Sequence, residues 1–404
     1  MPSIGSLHFR TDDALDSGVA LRLVTQPEDA TDENYLGTQL LVSPSTPYVV
    51  CRFARATSQA DAWARGTDLL QQALDLHSML GKADLQVKDT SDEYICWWKE
   101  GGRRIAALTS TATFSASVGN IQLVARDAQG NVIPPTQVAP QHHIGFRFFR
   151  LAQVSDDLYD AFRNMYLAFE SLLSSQHRKG KELEIQWLER ALYASQPDLN
   201  LAALCPRGTP DPVAHILANV YTSARLPLFH AKDGKTYFAP GGTEADRAVV
   251  LQGLSLLTSV VIRMAEVWHS ARRRGGWVNL KLIAEGFRSQ AAGCQVIFSD
   301  EQTDIHGLRD QARSEHAVQH GLPVPGIVGD IFHGAARTHV AASFAVERLE
   351  GRNHLHAIYV AKDGAPLIGV TPDTVFDVGG FDQLDVCIFL RGRNANQPRS
   401  QFAR

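Results

Sequence analysis

The sequence is poor in the features that announce a chemistry at sight. Cysteine occurs five times in 404 residues, at positions 51, 96, 205, 294 and 387, with no Cys-x-x-Cys pair. An odd number of distant thiols argues against a disulfide scaffold and fits reduced cysteines in a cytoplasmic protein. No run of eighteen apolar residues occurs. The longest, Leu251–Val261, is bounded by Arg247 and Arg263 and reads as a buried helix, so no membrane span is expected. The opening residues, MPSIGSLHFRTDD, hold no apolar run and no signal peptide is expected. Positive charge is not in excess: the formal net charge is −4, so no global field draws the chain to nucleic acid or anionic lipid. The G-x-x-x-x-G-K-[ST] phosphate loop and the G-x-S-x-G elbow are both missing, which removes the usual support for nucleotide hydrolysis and Ser/His/Asp chemistry. No internal repeat is present.

What is there is a chain with 44% hydrophobic residues, enough for two domains or one large core. Residues 1–140 read as a β-rich domain. Strands are predicted at Val19–Val24, Pro47–Phe53, Tyr94–Trp98, Arg104–Ala116 and Ile121–Ala125, and the polar stretch TQPEDATDENYLGT reads as loop. One long helix is predicted over Ser58–Leu80, with Gly81 just past its end and Gly66 an awkward residue inside it. QHHIGFRFFR, residues 141–150, joins the halves; His142-His143 reads as a linker turn with one ring packed on the junction. From Ser155 the pattern turns helical. Leu158, Phe162, Met165, Phe169 and Leu172 recur at steps of three and four, one apolar stripe behind a Ser155 cap and an acidic first turn.

Further helices are predicted from about Leu183, over Asp211–Leu226 with Pro212 in the first turn, and over Thr243–Arg274 with Arg272-Arg273-Arg274-Gly275 as a basic, glycine-stopped end. Val278–Ala292, Asp304–His320 and Ile327–Glu347 complete the helical set. Short strands follow at Leu355–Ala361, Pro366–Val370 and Leu384–Leu390. The expected fold class is α+β: a β-rich domain (1–140), a helical bundle (141–347), and a β appendage with a basic tail (348–404).

The segment HHIGFRFFRLAQVSDDLYDAFRNMYLAFESLL resembles the HEPN superfamily of helical domains, and more narrowly its MauJ-like or ApeA-like branch. The likeness rests on Phe148-Phe149-Arg150-Leu151, Ser155-Asp156-Asp157-Leu158, Asp160-Ala161-Phe162-Arg163-Asn164 and Glu170-Ser171-Leu172-Leu173. The later run Trp187-Leu188-Glu189-Arg190-Ala191-Leu192 and the preceding IQLVARDAQGNVIPP also fit, and the likeness spans residues 40–345. The resemblance implies metal-independent ribonuclease chemistry carried by Arg-x4–6-His near a late helix, often with Asn, His or Asp after the arginine. It also implies a homodimer that shares the site, and no cofactor. The physics is direct. A guanidinium fork holds the scissile phosphate and stabilises charge developing on it. A histidine, which titrates near neutrality, moves a proton to or from the ribose hydroxyl or the leaving oxygen.

Two pairs in GLRDQARSEHAVQHG have this spacing: Arg309 with His316, followed by Asp310, and Arg313 with His320. By position, the helix GDIFHGAARTHVAASF is where the branch carries its pair, and there Arg337 is present but the histidine slot falls at Ala342. Arg272, Arg273 and Arg274, near Trp268 and Trp277, form the candidate RNA-binding patch. Each has a plainer alternative. Arg309 and Arg313 can make surface ion pairs with Glu301, Asp304 and Glu315, and the triple arginine can be a solvated helix end. His316-x3-His320 has a zinc-chelating step, but it lacks the H-E-x-x-H context and no metal is expected. Three readings remain: an RNA-directed protein, an endoribonuclease of a defence or stress system acting with a partner protein of that system; a catalytically silent scaffold or sensor that dimerises and binds a protein or small ligand; and a metal-using biosynthetic accessory protein.

Overall fold

A computed structural model describes residues 1–10, 14–88, 93–114, 129, 139–155, 157–231, 236–240, 242–271, 295–300, 322–323, 327–332, 335–349, 351, 353–362, 365–370 and 374–392. The fold is α+β, with strands at both ends of the chain and helices between.

The nine-stranded sheet is built from both ends. In spatial order its strands are Ile327–Phe332, Ala335–Ala345, Gln383–Gly392, Arg103–Phe114, Glu93–Glu100, Ser17–Arg22, Tyr48–Phe53, Thr38–Val42 and Thr31–Tyr35. Gln383–Gly392 runs parallel to Arg103–Phe114, Gln383 opposite Ile105 and Gly392 opposite Phe114, and the other neighbours are antiparallel. The expected C-terminal appendage therefore supplies a central strand of the N-terminal sheet. Alternation along Val19-Ala20-Leu21 explains how both faces are covered. Val19 and Leu21 join Phe53, Leu70 and Ala73 under helix α1 (Gln59–Met79). Ala20 joins Trp97, Leu384 and Ile388 against Val296, Phe298, Ile358 and Val360 of a second, four-stranded sheet.

Helix α1 begins as its sequence predicts, with the Ser58 side chain accepting from Asp61 N–H. Gly66 is explained by contact: a Cβ there would stand 2.4 Å from Val19 Cγ1, so only glycine lets the helix lie this close to the sheet.

Three expectations are corrected. Ile327–Glu347 is not the last core helix; Ile327–Phe332 and Ala335–Ala345 are antiparallel strands. Its alanines favour helix, but Ala342 and Phe344 two apart are buried while Ser343 between them is exposed, and tertiary pairing decides. Within TQPEDATDENYLGT, Thr31–Tyr35 forms the edge strand, where polar residues suit an open edge. QHHIGFRFFR is more than a joint: Gly145–Val154 is helix α2, and Ser155 ends it rather than capping the next.

Helix α3 (Leu158–Gln176) is capped by Asp157, which accepts from Asp160 N–H. Helix α4 spans Glu184–Leu199, and helix α5, Pro212–Ile216, is capped by Asp211 with Pro212 in its first turn. A π-helical segment, Leu217–Arg225, continues from α5 into the short helix α6, Leu226–Phe229. Helix α7, Glu244–His269, starts at Thr243 and ends with Ser270 in the left-handed conformation, short of the predicted Arg274. Phe162, Met165, Phe169, Leu172, Trp187, Leu188, Leu257 and Met264 form the bundle core. Helix α7 is the one described helix long and apolar enough to cross a membrane, and Val250, Leu254, Leu257, Val261 and Met264 on it are buried in this core. His143 packs 4.9 Å from His269 where α2 meets the end of α7.

Candidate functional site

Of the residues singled out in the sequence, Arg309, Arg313, His316, His320, Arg272, Arg273 and Arg274 lie outside the described residues. Arg337 lies on the strand Ala335–Ala345, paired with Asp330 and Arg391 in register, and not on a helix. The alignment that placed a lost histidine at Ala342 falls with that helix.

Another constellation comes together in the helical bundle. Tyr166 and Glu170 are one helical turn apart on α3, and Glu184 opens α4. Tyr221 stands at the middle of the π-helical segment and Arg225 at its end, and His230 follows α6. Nine residues of π-helix are long for a conformation usually confined to single turns and often found at functional sites. Its wider turn carries Arg225 and Tyr221 to the same carboxylate.

Glu184 is the hub. It accepts from Tyr166 Oη at 2.9 Å and Tyr221 Oη at 3.5 Å, and it pairs with Arg225 Nη2 at 2.8 Å. Arg225 Nη1 donates to His230 Nε2 at 3.2 Å. An arginine has no lone pair to offer, so in this contact the imidazole nitrogen is the acceptor. The guanidinium carbon lies 5.3 Å from the Tyr221 ring centre, 5.7 Å from Tyr166 and 5.1 Å from Phe229. Three aromatic rings and one carboxylate thus fix the fork while its side chain keeps 15% exposure. Arg225 Nε is buried with no hydrogen-bond partner, a donor left short beside an ion pair.

Glu170 completes the site. Burial, then the Glu184 charge, then its hydrogen bond to Glu184 push the Glu170 carboxyl up to about 7. Glu184 has Arg225 and two phenols as donors, whereas Glu170 is the carboxyl that burial raises. Burial and Glu184 also hold the Tyr166 phenol far above its ordinary range, so it remains a donor. The Tyr221 phenol moves the same way, chiefly by burial.

Chemically, the site offers an arginine fork, an imidazole beside it and a carboxyl raised by burial and a neighbouring carboxylate. Among the described residues no three His, Cys, Asp or Glu side chains gather as metal ligands. A cleft of about 830 Å³ lies elsewhere, between Arg22, Gln71 and Lys88 of the β-rich part and Asp157, Asp160 and Arg247 of the bundle. Its lining carries charges of both signs, and the arginine–histidine contact lies instead at the Arg225 site.

The signal for this site was in the sequence. ARLPLFH contains Arg225 and His230 with four residues between, the R-x4-H spacing itself. Pro227, inside the spacing, masks it, because a proline there reads as the end of a helix. The residue after the arginine is Leu226 rather than Asn, His or Asp.

Residues 146–266 match the family model described as Methylamine utilization protein MauJ, a HEPN-like family. The match runs from α2 into α7 and includes Tyr166, Glu170, Glu184, Tyr221, Arg225 and His230. No curated protein and no solved structure matches the chain.

Proposed function

We propose that this chain, with its MauJ-like helical region, is an RNA-directed protein of the cytoplasm whose Arg225 and His230 cleave phosphodiester bonds without metal. The observation that carries the reading is the 3.2 Å contact between Arg225 Nη1 and His230 Nε2, at R-x4-H spacing. An arriving phosphate takes over Arg225 Nη1, which releases the imidazole lone pair. His230 then accepts the ribose 2′-hydroxyl proton. The 2′-oxygen bonds to phosphorus, the bond to the 5′-oxygen breaks, and the departing oxygen takes a proton from solvent. The products are a 2′,3′-cyclic phosphate and a free 5′-hydroxyl. Arg225 stabilises the charge gathering on the phosphoryl oxygens. A homodimer, and a partner protein in a defence or stress system, belong to this reading by the HEPN likeness.

The test is cleavage of total RNA in EDTA. Arg225→Ala and His230→Ala are each expected to lower the rate at least a hundredfold, the usual scale for losing a charge stabiliser or an acid–base group. A strand with one 2′-deoxy residue is expected to resist at that position. If Arg309→Ala, Arg313→Ala, His316→Ala or His320→Ala abolishes cleavage and the Arg225 and His230 variants do not, the site is misplaced.

A second reading has its own observation. Glu184 already neutralises Arg225 at 2.8 Å, the arrangement of a structural ion pair in a silent scaffold. Dimerisation without cleavage, with a protein or small ligand bound instead, supports that reading.

A further inference from the structure

We infer that Phe229 is a stacking platform for one unpaired base beside the phosphate held at Arg225, flanked by Arg163 and the loop Arg178–Lys181 as neighbouring phosphate contacts. The inference rests on the reading of Arg225 and His230 as an RNA site and specifies what that site demands of its substrate.

The ring is placed oddly for a core residue. Leu228 beside it is buried, whereas Phe229 keeps 38% of its surface exposed. A lone exposed aromatic is ordinary. This one has two guanidinium groups near its ring, Arg225 Cζ at 5.1 Å and Arg163 Cζ at 5.9 Å from its centre. Tyr166 lies 6.0 Å away, tilted by 57°, and supports the ring from the bundle side. An aromatic face next to arginines is the arrangement that holds successive nucleotides of a single strand, the base on the ring and the phosphates on the cations. A paired base has both faces covered by its neighbours and cannot use it.

The cations are available. Arg163 makes one exposed ion pair, with Asp160 at 3.3 Å, of the kind that contributes little. Arg178, Lys179 and Lys181 are exposed, and no acidic side chain among the described residues forms a salt bridge with them. The loop leads directly into Glu184, the first residue of α4, which holds Arg225 Nη2 at 2.8 Å, so it borders the site. The loop is also held in place: Trp187 Nε1 donates to the His177 carbonyl at 2.7 Å, and Arg190 Nη2 to the Arg178 carbonyl at 3.2 Å. A fixed basic loop on one side and Arg163 with Phe229 on the other make a path for a strand, on a protein whose net charge is −4.

The experiment uses the full chain carrying His230→Ala, which blocks cleavage so that binding is read at equilibrium. The probe is a short oligouridylate with one 2-aminopurine, whose fluorescence is quenched on stacking. Binding with quenching is expected. Phe229→Leu is expected to weaken binding about tenfold and abolish the quenching, and Phe229→Tyr to restore both. Lys179→Ala and Arg178→Ala are each expected to lower the slope of log affinity against log salt by about one. Duplex RNA of the same sequence is expected not to compete.

Unchanged quenching in Phe229→Leu, or equal binding of duplex, overturns the platform. If the chain with His230 intact still cleaves RNA in that case, the Arg225–His230 reading survives alone. No binding of any RNA at low salt overturns both.

Discussion

Glu170 lies beside Glu184, which holds Arg225 Nη2 at 2.8 Å, and burial together with the Glu184 charge raises the Glu170 carboxyl. The relationship has a thermodynamic consequence. In the unfolded chain Glu170 releases its proton near its ordinary value of about 4.3. In the fold it holds the proton up to about 7. Between those values the folded state binds the extra proton, so stability falls as pH rises. The contribution is full below about pH 4 and gone above about pH 7. Thermal unfolding of the wild type and Glu170→Gln, measured from pH 4 to pH 8.5, is expected to show a gap that changes with this sign. The glutamine amide keeps a donor toward Glu184 without titrating, so the variant gains relative to the wild type toward pH 8. A parallel pair of curves would show that the Glu170 carboxyl is not raised in the fold.

The Arg225 fork is argued to depend on Glu184, and a substitution separates its position from its charge. Glu184→Gln leaves an acceptor for the two phenols and removes the counter-charge of a guanidinium with 15% side-chain exposure. The expected loss is about 2–3 kcal/mol, at or below the lower end for breaking a buried pair because Glu184 itself is partly exposed. It is read as a lower urea midpoint at an unchanged slope. Arg225→Lys is expected to fail as a replacement in the cleavage assay, since a point charge cannot hold carboxylate and imidazole at once.

How much of this was legible in the sequence depends on where local pattern and tertiary context agree. Helix α3 was legible because Leu158, Phe162, Met165, Phe169 and Leu172 all face one core, and all are buried. Helix α1 was legible for the same reason. The strand Ala335–Ala345 was not, because its alanines carry a helical preference that only pairing with Gln383–Gly392 overrides. Gln383–Gly392 in turn pairs in parallel with Arg103–Phe114 across the whole helical insertion, and no local pattern encodes that. The site was half legible. The Arg225–His230 spacing stood in the sequence, but the π-helical turn that aims Arg225 at Glu184, and the approach of Glu170 to Glu184, arise only when α3 and α4 pack.

Gly66 gives a test of the sheet–helix contact. A Cβ at 2.4 Å from Val19 Cγ1 and 3.0 Å from Phe53 Cε1 cannot be accommodated without moving helix or strand. Alanine raises intrinsic helix propensity by about 1 kcal/mol, so on a free helix Gly66→Ala would stabilise. Here overpacking is expected to win, with a net loss of about 1–2 kcal/mol in urea unfolding. A more stable variant would mean that α1 stands further from the sheet.

The last prediction concerns the strand that closes the sheet from the far end of the chain. Leu384 and Ile388 on Gln383–Gly392 are fully buried, and Leu384 pairs with Phe344 on one side and Ala106 on the other. If this strand were an appendage, removing its apolar side chains would leave the N-terminal sheet intact. As a central strand it cannot be spared: Leu384→Ala opens a cavity in the core shared by Trp97, Phe298 and Phe376, at a cost of about 3 kcal/mol. Tryptophan fluorescence reads the difference, because Trp97 lies in that same core. The expected result is one cooperative transition in which Trp97 and the C-terminal strands unfold together, shifted to lower denaturant in Leu384→Ala. A variant whose Trp97 signal unfolds at the wild-type midpoint would place the C-terminal strands outside the N-terminal sheet.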